Sequence, residues 1–91
     1  MNPKFPLGQV VATPGALEAL ERSGQAPEFF IQKHLSGDWG DVDRGDQKAN
    51  EDALRDGERL LSSYYTLRGE KLWVVTEADR SVTTILLPSE Y

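Results

Sequence analysis

Residues 71–87 read Lys71-Leu-Trp-Val-Val-Thr-Glu-Ala-Asp-Arg-Ser-Val-Thr-Thr-Ile-Leu-Leu87, and this stretch decides the fold. Two apolar runs, Lys71 to Glu77 and Val82 to Leu87, flank the short polar break Ala78-Asp79-Arg80-Ser81. A break of that length between β-branched runs is a hairpin signal. Upstream, Leu60 to Leu67 alternates poorly but is rich in Leu, Ser and Tyr, and Arg68-Gly69-Glu70 separates it from Lys71. Pro88 stops the last run. The C-terminal third is therefore predicted as an antiparallel meander.

Toward the N-terminus the period changes. Thr13-Pro14 has the form of an N-cap followed by a first-turn proline, and Gly24 sits where a helix would close. Leu17 and Leu20 share one face of that helix. Pro27 opens a second helix, in which Phe30, Ile31 and His34, with Phe29 and Leu35, form an apolar face. Asp43 or Asp46 caps a third helix through Lys48, Ala49, Ala53 and Leu54, ended by Gly57, with only a thin apolar stripe. Gly8 to Ala12 is short and β-branched, an expected fourth strand at one sheet edge. The fold class expected is α+β: about three N-terminal helices packed on a three- to four-stranded antiparallel sheet, in one domain over residues 1–91, with Met1 to Pro6 loose.

Charge is unevenly spread. The net charge is −5, and between Ser36 and Glu58 lie eight acids (Asp38, Asp41, Asp43, Asp46, Glu51, Asp52, Asp56, Glu58) against three bases (Arg44, Lys48, Arg55). The remaining residues carry seven of each sign, so the whole excess belongs to one quarter of the chain. Such a field attracts cationic surfaces and repels nucleic-acid backbones, and it also serves simple solvation. Cysteine is absent, which excludes disulfides and thiolate metal sites. No apolar run approaches the roughly 20 residues of a membrane span. Met-Asn-Pro-Lys-Phe-Pro contains no apolar signal core, so a cytoplasmic location and no membrane association are expected, and the acidic excess argues for no direct nucleic-acid partner.

Few residues suggest chemistry. His34 is the single histidine, near a helix end and just before Ser-Gly-Asp-Trp-Gly. It suits proton transfer, and equally a hydrogen bond that locks the next loop. Arg80, Ser81, Thr83, Thr84 and Tyr91 make a polar group at the last turn and strand. Thr83 and Thr84 must point to opposite sheet faces. His34, Arg80, Thr84 and Tyr91 together match, by residue type, the acid, base and phosphate-holding cation of a metal-independent ribonuclease. Against that reading, no cluster of Lys or Arg offers RNA a basic face. Asp41-Val-Asp-Arg-Gly-Asp46 invites comparison with a calcium loop, but its glycine falls one place early and the fifth position lacks a side-chain oxygen. No metal or cofactor is expected. Trp73, mid-strand, is expected in the core. Trp39, between Gly37 and Gly40, either tucks under its loop or anchors a partner within a rim of charge.

The segments His34-Leu-Ser-Gly-Asp-Trp-Gly40 and Thr76-Glu-Ala-Asp-Arg-Ser-Val-Thr-Thr-Ile-Leu-Leu-Pro-Ser-Glu-Tyr91, with Asn50 and the Gly57 to Tyr64 run, resemble a group of small bacterial proteins found on plasmids and integrated elements. The resemblance extends from about Gly8 onward; it implies a mobile-DNA setting and brings no activity or site residue with it. The helices-then-sheet layout is also similar to ribonuclease toxins of the barnase, EndoU, colicin and RelE type, a likeness of layout alone. Three functions follow as expectations. The first is an acidic binding protein that inhibits a host defence system directed at nucleic acid (CRISPR or restriction) by occupying a cationic channel. Asp38, Asp41, Asp43, Asp46, Glu51, Asp52 and Asp56 would supply its field and Trp39 its anchor. The second is a ribonuclease toxin using His34. The third is an adaptor for another protein partner. The chain is expected to act as a monomer, or as a dimer through the sheet face without helices.

Overall fold

The computed structural model describes residues 3–91. The order of elements is β1 (Gln9–Ala12), α1 (Pro14–Ser23), α2 (Pro27–Leu35), α3 (Arg44–Asp56), β2 (Leu60–Tyr65), β3 (Lys71–Thr76), β4 (Val82–Leu86) and a final 3₁₀ turn at Pro88–Glu90. The helix boundaries follow local chemistry. The Thr13 hydroxyl accepts from the Ala16 amide at 3.2 Å, and the Asp43 carboxylate accepts from the Asp46 amide at 2.8 Å, each occupying an amide the first turn leaves unpaired. Gly57 closes α3 at φ 74°, a left-handed geometry that side chains resist.

The strands form a single sheet in the order β1-β4-β3-β2. The β2-β3-β4 meander is antiparallel, pairing Leu60 with Thr76 and Val74 with Ile85, as the sequence pattern predicts. β1 does join as the fourth strand, but it runs parallel to β4, with Gln9 beside Val82 and Ala12 beside Ile85. The sheet is therefore mixed, which corrects the all-antiparallel expectation. The chain enters the sheet through β1 and returns to it through the meander, and the two directions coincide.

Alternation gives the sheet two unlike faces. Tyr64, Leu72, Val74 and Ile85 point toward Ala16, Ala19 and Leu20 of α1 and Phe30 and Ile31 of α2, forming the main core. A second cluster, Phe5, Trp39, Ala53 and Leu60, fills the space under α3. Phe5 is only 7% exposed and the Lys4 amide donates to the Leu35 carbonyl, so the stretch expected to be loose is packed from Lys4 onward; its first two residues, Met1 and Asn2, lie outside the described residues. Trp73 also departs from expectation. Its neighbours Leu72 and Val74 face the core, whereas Trp73 lies half-buried on the opposite face, where the Tyr91 ring meets it edge-on at 5.6 Å. No helix among the described residues is long and apolar enough to cross a membrane.

Candidate functional site

The acidic segment is an ordered flank fastened to the outer edge of β2. The Ser63 amide donates to the Trp39 carbonyl at 2.9 Å, and the Asp41 amide donates to the Ser63 carbonyl at 2.6 Å. Near the middle of α3, the Asn50 side chain donates to the Leu61 carbonyl at 2.7 Å and accepts from the Leu61 amide at 3.0 Å, as a neighbouring strand would. Gly40 makes this docking possible. It holds φ 76°, and a Cβ there would strike the Ser63 carbonyl and come within 2.6 Å of the Tyr64 ring. The loop and α3 thus occupy the backbone groups that β2 would otherwise present to water.

Trp39 is the pin of this flank and not an exposed anchor. It is 4% exposed, its ring stacks near Phe5 and meets the edge of His34 at 5.7 Å, and its Nε1 donates to Glu51 at 2.8 Å. The expected partner contact through Trp39 is therefore excluded by burial. The sequence leaves open whether Trp39 tucks under its loop or anchors a partner; the structure shows it tucked, packed on Phe5 far away in sequence.

Of the expected binding acids, Asp38, Asp41, Asp43, Asp46, Glu51 and Asp56 are exposed, and Asp52 is half-exposed. They are not equivalent. Asp52 is bracketed by Lys48 at 3.2 Å and Arg55 at 3.1 Å, and these cations hold its carboxyl below the usual range. Arg55 also reaches Asp56 at 3.2 Å, Lys33 lies 3.5 Å from Asp38, Glu51 holds Trp39 and Asp43 caps α3. Asp41, Asp46 and Glu58 have no ion pair among the described residues. The field of the flank therefore rests mainly on these three.

His34, Arg80, Thr84 and Tyr91 do not converge. His34 is fully buried on the helix side, with Nδ1 against the Ser62 hydroxyl at 2.5 Å and Nε2 against the Thr76 hydroxyl at 2.9 Å. Thr76 in turn meets the Thr83 hydroxyl at 2.7 Å, and Thr83 donates to the Leu7 carbonyl at 2.8 Å. A carbonyl only accepts, so the direction of each link from Leu7 as far as His34 Nε2 is fixed from that end. Thr83 donates to Leu7, Thr76 donates to Thr83, the His34 Nε2–H donates to Thr76, and Ser62 donates to Nδ1. Nε2 thereby carries a proton, and Nδ1 accepts from Ser62 in the neutral ring that burial favours. Burial, reinforced by the nearby Arg80 charge, lowers its pKa to about 4. No substrate reaches it in this fold, and the structural reading of His34 is the one its surroundings support.

Arg80 is equally committed. It adopts φ 61°, and its guanidinium donates to the carbonyls of Ala53 at 3.0 Å, Glu58 at 2.6 Å and Glu77 at 3.1 Å. It closes the C-terminus of α3, where cations are favoured, and is not free to hold a phosphate. Thr84 and Tyr91 lie on the other side of the sheet from His34: Thr84 pairs with Val75, and Tyr91 leans on Trp73. Thr83, which does face His34, was only half resolved by the sequence, because alternation assigns opposite faces to Thr83 and Thr84 without saying which is which. Asn50, Ser62 and Thr76 carry no motif; the one available signal was Asn50 on the thin apolar stripe of α3, three residues before Ala53. No family model, no curated protein and no solved structure matches this chain.

Proposed function

We propose that this chain is a binding protein that engages a cationic protein surface, of the kind that holds nucleic acid, through the flank formed by residues 38–58. One observation carries the reading: the entire net charge of −5 belongs to a segment whose backbone is stitched to the edge of β2, so its carboxylates are presented on a rigid support. Pre-positioned charge loses little ordering entropy on association, and it steers encounter with an oppositely charged partner. Asp41, Asp46 and Glu58 are the principal contacts because they form no ion pair among the described residues. In a bacterial cytoplasm the most cationic concave surfaces are those built for DNA or RNA, which makes a CRISPR effector or a restriction enzyme the proposed target.

The test is a phage challenge of bacteria that express the chain, with and without an active CRISPR or restriction system. Rescue of the phage only where the defence is present, lost in the triple variant Asp41→Lys, Asp46→Lys, Glu58→Lys, supports the reading. The purified pair should then bind at least roughly tenfold more weakly when salt is raised across the physiological range. Rescue that survives triple charge reversal, or no rescue in either defence background, overturns it.

A further inference from the structure

The structure assigns the outer edge of β1 to a second copy of this chain: we infer that two molecules join their β1 strands antiparallel, across a two-fold axis at Val11, into one continuous sheet. The inference is independent of the acidic flank and rests on three observations.

The first is backbone orientation. The Gln9 amide donates to the Ser81 carbonyl and the Thr13 amide to the Ile85 carbonyl, both at 3.0 Å, so odd-numbered residues of β1 turn their polar groups toward β4. Along a strand these groups alternate sides, so the amide and carbonyl of Val10 and Ala12 point away from the sheet. No other element of the described residues lies on that side of β1 in the sheet order. Val10 is 45% and Val11 37% exposed, so the edge is open to an incoming strand.

The second is register. With Val11 opposite Val11 of the second copy, Val10 faces Ala12 and Ala12 faces Val10. Both are then hydrogen-bonded pairs, and all four outward amides of the two strands are satisfied. Val11 becomes the close, non-hydrogen-bonded pair, with Cα atoms about 4.5 Å apart across the axis. Centring on Val10 or Ala12 instead would pair fewer of these groups.

The third is charge. No ionisable residue occurs from Phe5 to Leu17, and the Glu90 carboxylate just past the strand is held by the Thr13 hydroxyl and the Gly15 amide, so the strand itself offers little to recruit a charged peptide or to repel its own copy. The acidic flank occupies the opposite edge, three strand spacings away, on the order of 14 Å. In the paired sheet the two flanks lie seven strand spacings apart, on the order of 34 Å, far beyond the Debye length of about 8 Å at physiological salt, so they do not oppose pairing. An acidic chain that self-associates does so most readily through its neutral end. The contact is short, so the dimer is weak and depends on concentration.

Sedimentation velocity from micromolar to millimolar protein, paired with amide exchange by NMR, tests this. The sedimenting mass should move toward twice the monomer value, and the amides of Val10 and Ala12 should become protected as it does. Val10→Pro removes one outward donor and leaves the bonds to β4 in place; it should hold the chain monomeric with its fold retained. Should the proline disturb folding, Val11→Asp leaves the backbone intact and sets two carboxylates against each other at the axis. It should weaken dimerisation at least roughly tenfold at low salt. A monomer at all concentrations overturns the inference. So does a dimer that persists in Val11→Asp, or new protection confined to the face bearing Trp73 and Leu61.

Discussion

Along the outer edge of β2, the amides and carbonyls of Leu61 and Ser63 all find partners, in the Asn50 side chain and in the backbone of Trp39 and Asp41. Along the outer edge of β1, the corresponding groups of Val10 and Ala12 find none among the described residues. One sheet thus ends in a closed edge and an open one. Strand edges left open are sites of association, and proteins usually blunt them. Here the closed edge carries the acidic segment, and no residue of the open strand itself is ionisable. The edge where association would be hardest to control is covered, and the neutral one is left available.

Four changes break or sharpen this contrast. The largest effect should come from Gly40→Ala. It forces an L side chain to positive φ and drives its Cβ into the Ser63 carbonyl, so the loop must leave β2. A loss of about 4 kcal/mol in urea unfolding is expected. A loss within error would show that the loop does not hold that edge.

Acid should come next, because the hydroxyl–imidazole chain links the two edges. It runs from Ser62 of β2 through His34, Thr76 and Thr83 to the carbonyl of Leu7 just before β1. The folded pKa of His34, about 4, lies below the ordinary imidazole value of 6.5. Protons therefore bind the unfolded chain more tightly. The stability this group contributes is complete above pH ~6.5, falls as pH drops toward 4 and reaches a loss of about 3 kcal/mol below that. His34→Gln should flatten that part of the profile. Exposed carboxylates with lowered pKa values, such as Asp52 and Glu70, lose their contributions at lower pH still. An unchanged profile in His34→Gln would remove the imidazole from the explanation.

Asn50→Leu keeps the bulk on α3 but leaves the Leu61 amide and carbonyl without partners. A loss of about 2 kcal/mol is expected, together with faster exchange of the Leu61 amide. The smallest effect should be that of Val10→Lys at the open edge, within about 0.5 kcal/mol of the parent in a monomeric sample. A cost comparable to that of Asn50→Leu would mean that the two edges differ less than their hydrogen bonds indicate.

Much of the fold was legible because it is written locally. The β3 and β4 runs and their polar break, Thr13-Pro14 with Gly24, and Asp43 with Gly57 each specify an element from a few adjacent residues. The sense of β1 was not legible, since four residues without clear alternation carry no record of the direction in which they pair. The site was less legible still. Trp39 between two glycines reads equally as tucked or as an anchor until Phe5 packs on it. His34 reads equally as a proton-transfer group and as a loop-locking hydrogen-bonder until hydroxyls from two different strands, Ser62 and Thr76, take up both ring nitrogens. Arg80 reads as a phosphate ligand, yet it is bent to positive φ so that it can serve carbonyls of α3 and the turn before β4. The acids could be counted from the sequence, but which of them are already neutralised depended on the helical spacing of Lys48, Asp52 and Arg55 and on how they met.

The parallel pairing of β1 with β4 also sets an order of events. The β2-β3-β4 meander assembles from partners separated by short turns, whereas Gln9 meets Val82 only after nearly the whole chain has been brought round. Closing the longer loop costs more entropy and is slower, so β1 should be the last strand to join in refolding and the first to leave under stress. A chain emerging from synthesis would hold its first strand idle until its last one is made.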